Sequence, residues 1–220
     1  SQEGTLQLSG YVEKGRDPLS NVKVTLYQNS SETGSVYTDN RGAFSLDMDI
    51  NKQYTIHFSK EGFVQKKLFI DAAVPGKKGG TWTVEFSIGL FKMYPGLDVS
   101  ALEDPVTKIV YQQEERSFGY DYLYTEKMMA KIDKILAQLE KLKEEAYREI
   151  IRTGDQHFDQ TAYAEAITWY EKALDQRPGD RYPKKRIREA EKLLEEKREN
   201  QSLYQQAIAR ADQLFQQKKY

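Results

Sequence analysis

The chain reads as a two-domain protein: an all-β sandwich of about seven strands, then an all-α array of helical repeats. Three observations predict this. Glycine is concentrated early, with 11 of 14 in residues 1–100, and four of the six prolines precede residue 106. The same stretch alternates apolar and polar residues with period two, the pattern of strands packed on a core from one side. Beyond Thr125 the apolar period becomes three and four, that of amphipathic helices.

In chain order, Val22, Val24 and Leu26 alternate with Lys23 and Thr25, and Tyr54, Ile56 and Phe58 alternate with Thr55 and His57. Trp82, Val84, Phe86, Ile88 and Leu90 make a third alternating run. Turn chemistry separates these runs at Gly15–Pro18, Asp39–Gly42, Glu61-Gly62 and Gly76–Gly80, the last read as a hairpin tip. Short strands so spaced predict a small antiparallel sandwich over residues 1–93, with Lys66-Lys67 protecting an edge strand from mispairing.

Residues 94–124 carry Pro95-Gly96, Pro105 and the aromatics Phe118, Tyr120, Tyr122 and Tyr124. Free linkers are rich in Gly and Ser, so this segment is expected to be an extended linker docked on an apolar surface. Residues 125–220 form the helical domain. Met128, Ile132, Ile135, Leu139, Leu142 and Ala146 mark one stripe, with Lys and Glu on the other faces. A further helix is predicted to start at Arg181, with Pro183 in its first turn and Ile187, Ala190, Leu193 and Leu194 on its buried face.

The helical part contains a loose internal repeat. Tyr147–Tyr163 returns as Tyr204–Tyr220, 57 residues later, sharing Tyr, Ile, Asp, Gln, Phe, Gln and Tyr in register. The helix-pair pattern is therefore expected to restart at Tyr204, with one additional helix per unit. Stacked helical repeats hold other proteins and generally need about three units. The second copy stops before its covering helix. Either the natural chain continues past Tyr220, or a partner covers that end. Ser1 in place of Met fits a processed or a trimmed terminus equally.

Composition narrows the function. Lys+Arg total 33 against 34 Asp+Glu, and the balance holds on both sides of residue 100. No basic footprint steers the chain to nucleic acid or to an anionic membrane. No stretch approaches the roughly 18 apolar residues that span a bilayer. With zero cysteines, disulfides, thiolate metal sites and cysteine nucleophiles are absent. The two histidines, His57 and His157, stand apart on a strand and in a helix pair and fit structural roles. Asp47, Asp49 and Asn51 alternate like calcium ligands but lack the glycine and distal Glu of a calcium loop. Gly76–Gly80 lacks phosphate-loop spacing. No catalytic residue, cofactor or metal is expected.

Two resemblances follow from residues already named. Tyr147–Asp180 resembles a tetratricopeptide repeat, a unit of about 34 residues. Gly154 takes the small position where the paired helices touch, with Tyr163, Ala166, Tyr170 and Ala173 on the second helix and Pro178 closing the unit. Ile150, Thr153 and His157 depart from the pattern. The first part resembles the carboxypeptidase regulatory-like domain, a transthyretin-like sandwich. The match runs from Gly10-Tyr11-Val12 and Pro18–Val24 through Thr38–Phe44 and Tyr54–Ile56 to Lys60–Phe63. That domain is an accessory without catalytic residues.

Together the resemblances imply a non-catalytic scaffold of the Gram-negative cell envelope, periplasmic or outer-membrane-associated after loss of a signal peptide. Its sandwich would dock one envelope protein and its helices another. A further C-terminal domain would reach peptidoglycan. Tyr, Arg and Gln on a concave helical face suit interaction hot spots, which makes Tyr147, Arg152, Gln156, Gln205 and Gln213 the candidate partner-binding residues. The alternative is a carbohydrate-binding or adhesive surface protein, which would need Trp82 exposed beside Tyr37 or Tyr11.

Overall fold

The computed structural model describes residues 4–76 and 79–218. It divides into two compact units, one reaching to Leu139 and one beginning at Glu140.

The first unit is a two-sheet sandwich. One sheet contains β1 (Thr5–Lys14), β2 (Asp17–Pro18), β5 (Ala43–Asp49) and β8 (Thr81–Gly89), with β1 between β5 and β8. The other runs β10-β9-β7-β6-β3-β4, from β3 (Lys23–Gln28), β4 (Ser31–Tyr37), β6 (Gln53–Ser59), β7 (Lys66–Asp71), β9 (Thr107–Gln112) and β10 (Ser117–Tyr120). Phe58 of the second sheet meets Phe44 and Phe86 of the first, at ring-centre distances of 5.4 and 5.8 Å. The apolar alternation predicted for β3, β6 and β8 is the core face, with Val22, Val24, Ile56 and Phe58 fully buried.

Several expectations are corrected. The sandwich is mixed, because β1 pairs in parallel with β8 and β7 in parallel with β9. A parallel neighbour requires a crossover, and the segment between β7 and β9 passes through the opposite sheet. For the same reason Gly76–Gly80 joins two sheets and does not close a hairpin; Lys77 and Lys78 lie outside the described residues. The supposed linker 94–124 supplies β9, β10 and the start of a helix, so its aromatics divide: Phe118 and Tyr120 belong to β10, with Phe118 buried against Tyr111 and Trp82, while Tyr122 and Tyr124 open the helix.

The Asp39–Gly42 turn forms as expected. The Asp39 carboxylate accepts hydrogen bonds from the amides of Arg41 and Ala43. Gly42 has φ +75°, and a Cβ there would lie 2.3 Å from the Val12 carbonyl oxygen.

Lys66 does not guard an edge. β7 is an interior strand, and Lys66 shares its inward face with Leu68 and Ile70, only 7% exposed. Burial pushes its ammonium down to about 8, from an ordinary 10.5. Between those values the unfolded chain holds a proton that the folded chain has released, so stability contributed at this site rises with pH. Relative to Lys66→Met, the wild type should gain up to about 3 kcal/mol from pH 8 to 10.5 and stay level below pH 8. Urea titrations of both proteins across this range test it; parallel curves would refute it.

Helix α1 (Tyr122–Asp159) begins three residues before the predicted start. The reason is Asp121, whose carboxylate accepts from the Tyr124 amide and caps the first turn. Its stripe Met128, Ile132, Ile135 and Leu139 is buried, as its spacing implies.

The second unit holds the end of α1, α2 (Tyr163–Gln176) and α3 (Arg181–Gln217). Asp180 caps α3 through the Tyr182 amide, and Pro183 sits in its first turn. No new helix starts at Tyr204: α3 runs unbroken for 37 residues, because neither glycine nor proline occurs after Pro183 to end it. Among the described helices none is long and apolar enough to cross a membrane.

Candidate functional site

One face of α1 in the second unit combines aromatic, basic and acidic side chains at helical spacing. Tyr147, Arg148, Ile151, Arg152, Asp155 and Gln156 line an open groove of about 450 Å³. Residues three and four apart fall on the same face of a helix, which explains why this set converges. Three of the five candidate residues, Tyr147, Arg152 and Gln156, are therefore brought together. Gln205 and Gln213 lie elsewhere, exposed on α3.

Tyr147 is corrected in role. It is buried, its hydroxyl donates to the Asp180 carboxylate at 2.5 Å, and the Arg177 guanidinium stacks 4.0 Å from its ring centre. Burial, reinforced by the Asp180 carboxylate, pushes its phenol up to about 12. It is a fixed hydrogen-bond donor that ties α1 to the start of α3, with little surface left for a partner. Asp180 is held below the usual carboxylate range by the same bond. Arg177 also reaches Glu144, whose carboxyl is lowered by Arg177 and Arg148. Arg152 stays exposed and makes a bidentate pair with Glu149 at 2.9 and 2.7 Å. Both groups of this pair stand in water, which screens their attraction, so the bond holds Arg152 only weakly.

Beneath the groove lies a network that sequence reading missed. Tyr170 is fully buried against Gly154, where a Cβ would come within 2.8 Å of its ring. Its hydroxyl donates to Asp155 at 2.6 Å and accepts from Arg186 at 3.1 Å. Tyr182 donates to the same Asp155 oxygen at 2.8 Å, and Arg186 lies 3.6 Å from the Phe158 ring centre. Burial and the neighbouring Asp155 push the Tyr170 phenol upward. One carboxylate thus gathers donors from α2 and α3. The signal in the sequence was Asp155 beside Gly154, opposite the Tyr170 already assigned to the helix contact.

These groups are locked in structural bonds and contain no nucleophile paired with a base. Among the described residues no group of three or more His, Asp or Glu could hold a metal ion. Asp49 instead pairs with Lys52 at 2.5 Å, and the Asn51 side chain accepts from the Val74 amide. His57 packs 4.5 Å from the Tyr27 ring centre, and burial lowers its imidazole. Trp82 faces the core edge-on to Phe118, while Tyr11 and Tyr37 are exposed; no Trp82 platform stands open beside either of them.

No family model matches the chain, and no curated protein matches it. Among solved structures it is similar over 40% of its length to the Bacillus anthracis TIE protein, with 17% identity and a TM-score of 0.33, covering 16% of that chain. A DUF3823 family protein from Parabacteroides merdae ATCC 43184 matches over 41%, with 18% identity and a TM-score of 0.31, covering 48% of that chain. The 5-hydroxyisourate hydrolase of Klebsiella pneumoniae matches over 40%, with 13% identity and a TM-score of 0.28, covering 98% of that chain. The chain thus spans under two thirds of the first two. Likeness of this degree says nothing about reaction or partner.

Proposed function

We propose that the protein is a non-catalytic scaffold whose helical part holds another protein while its sandwich docks a second. The observation carrying this reading is the bare face of α3. Leu203 and Tyr204 are 62% and 67% exposed and Ile208 is 47% exposed, and Ala207 and Ala211 lie between and beyond them on the same side. An apolar helical stripe left in water marks an interaction surface. In the repeat's first copy the residue matching Tyr204 is Tyr147, only 6% exposed.

The tetratricopeptide-like reading of Tyr147–Asp180 supports the same role. Gly154 under Tyr170, with Ala166 and Ala173 buried, is the small-against-aromatic contact that such a pair of helices needs. The transthyretin-like reading of the sandwich, placement in the bacterial envelope, and peptidoglycan contact through a further domain extend the proposal by resemblance.

The test is capture and crosslinking from native envelopes with the full chain and with Leu203→Asp/Ile208→Asp. Both sites are already solvent-exposed, so the variant should keep the wild-type melting curve. The reading expects the protein species held by the wild type to be held at least about tenfold more weakly by the variant. Unchanged capture, or recovery of glycan without protein, would overturn it.

A further inference from the structure

The first unit contains a second feature that the scaffold role does not use. Beside the buried Lys66, a cavity of about 380 Å³ lies between β7, β8, β10 and the first turns of α1. Its walls are apolar: Phe86, Ile88, Val106 and Ile132. Tyr122 and Met129, both exposed, stand at its mouth.

Three hydroxyls of the wall are already bonded within the fold, and the one charged group among its described residues is the exception. The Thr107 and Thr125 hydroxyls bond each other at 2.5 Å, and Thr125 also donates to the Asp121 carbonyl. Tyr120 donates to the Glu85 carbonyl at 3.0 Å. Lys66 is the exception. Its ammonium carries three donors and makes a hydrogen bond to the Gly89 carbonyl at 2.6 Å, with the Phe91 ring centre 5.2 Å away. Among the described residues no Asp or Glu lines the cavity, and burial is the sole cause of the shift in its titration. At neutral pH a charged amine therefore sits in an apolar wall without a counter-ion, an arrangement that is costly unless something pairs with it.

We propose that this cavity binds a small amphiphile with a single carboxylate, its headgroup paired with Lys66 and its hydrocarbon tail against Phe86, Ile88, Val106 and Ile132. The observations choose among anions. A lone ammonium answers one negative charge with two remaining donors, and a carboxylate supplies one charge and two acceptor oxygens. Phosphate recognition favours several donors or a second cation, and among the described residues no second cation lines the cavity. The volume lies near the lower end of the roughly 300–1,000 Å³ range of small-molecule sites, which suits one medium-length chain.

The test uses the full chain with decanoate and, as the uncharged probe of equal length, decanol. Calorimetry measures affinity, and methyl-labelled methionine NMR reads Met129 at the mouth. Decanoate is expected to bind at least about tenfold more tightly than decanol and to shift the Met129 methyl. Lys66→Met should lose that tenfold preference. Met129→Trp, an exposed position that needs no core rearrangement, should block both probes. It keeps the test decisive if Lys66→Met fails to fold. Absence of decanoate binding, equal affinity for both probes, or a preference that survives Lys66→Met would overturn the assignment.

Discussion

Tyr170→Ala should unfold the helical unit at much lower urea than the wild type, a loss of about 3–5 kcal/mol. The ring is fully buried between α1 and α3, and its removal leaves a cavity at the point where three helices meet. It also takes from Arg186 its hydroxyl acceptor and from Asp155 one of two tyrosine donors. Tyr170→Phe keeps the packing and loses only the bonds, for about 1–2 kcal/mol. Gly154 sharpens the expectation. In the wild type Gly154→Ala drives a methyl into the Tyr170 ring and destabilises. In a Tyr170→Ala background the same change fills vacated space and gains helix propensity of about 1 kcal/mol. The sign of Gly154→Ala should therefore reverse between the two backgrounds. Far-UV dichroism during urea unfolding reads the wild type and all four variants. A cost below about 1 kcal/mol for Tyr170→Ala, or no reversal, would mean that this contact does not hold the helices together.

Gly10→Ala should be at least as damaging in the other unit. β1 lies between β5 and β8, and Gly10 pairs with Phe44 on one side and Phe86 on the other. A Cβ at Gly10 would fall 1.6 Å from the Phe86 carbonyl oxygen and 2.6 Å from its carbon. The obstacle is backbone, which no rotamer change can clear, so β8 must separate from β1 along the parallel pair that joins the sandwich's first strand to its late one. A loss of about 3 kcal/mol or more is expected, at the upper end of overpacking costs. Gly34→Ala is the control. It lies on the edge strand β4, with nothing within 4 Å of the added methyl, and should melt with the wild type. If Gly10→Ala melts with Gly34→Ala, the close approach of β1 and β8 is not as described.

Much of this architecture is visible in local pattern. Period-two runs locate β3, β6 and β8, Asp39–Gly42 locates a tight turn, and the stripe from Met128 to Leu139 locates the buried face of α1. Each depends on interactions a few residues long. Gly154 opposite Tyr170 was also legible, through the tetratricopeptide-like pattern that puts a small residue where paired helices touch. The unbroken α3 could have been read as well: no helix breaker follows Pro183, and the similarity of Tyr204–Tyr220 to Tyr147–Tyr163 drew a boundary where the backbone has none.

Other features have no local signature. Lys66 and Lys67 look alike in the chain, yet alternation puts Lys66 on the inward face with Leu68 and Ile70, and β7 is interior only because β9 pairs along its other side. Nothing near Lys66 announces β9, which begins some forty residues later. The Lys66 cavity and the Asp155 network arise in the same way, from elements separated in sequence and joined only by folding. Composition and spacing were enough to set the two halves, the faces of their strands and helices, and the absence of thiol chemistry. Which strands became parallel neighbours, which lysine lost its water, and which tyrosines were locked inside were decided by tertiary packing. Burial depends on what lies across the core, and that neighbour comes from a distant part of the chain.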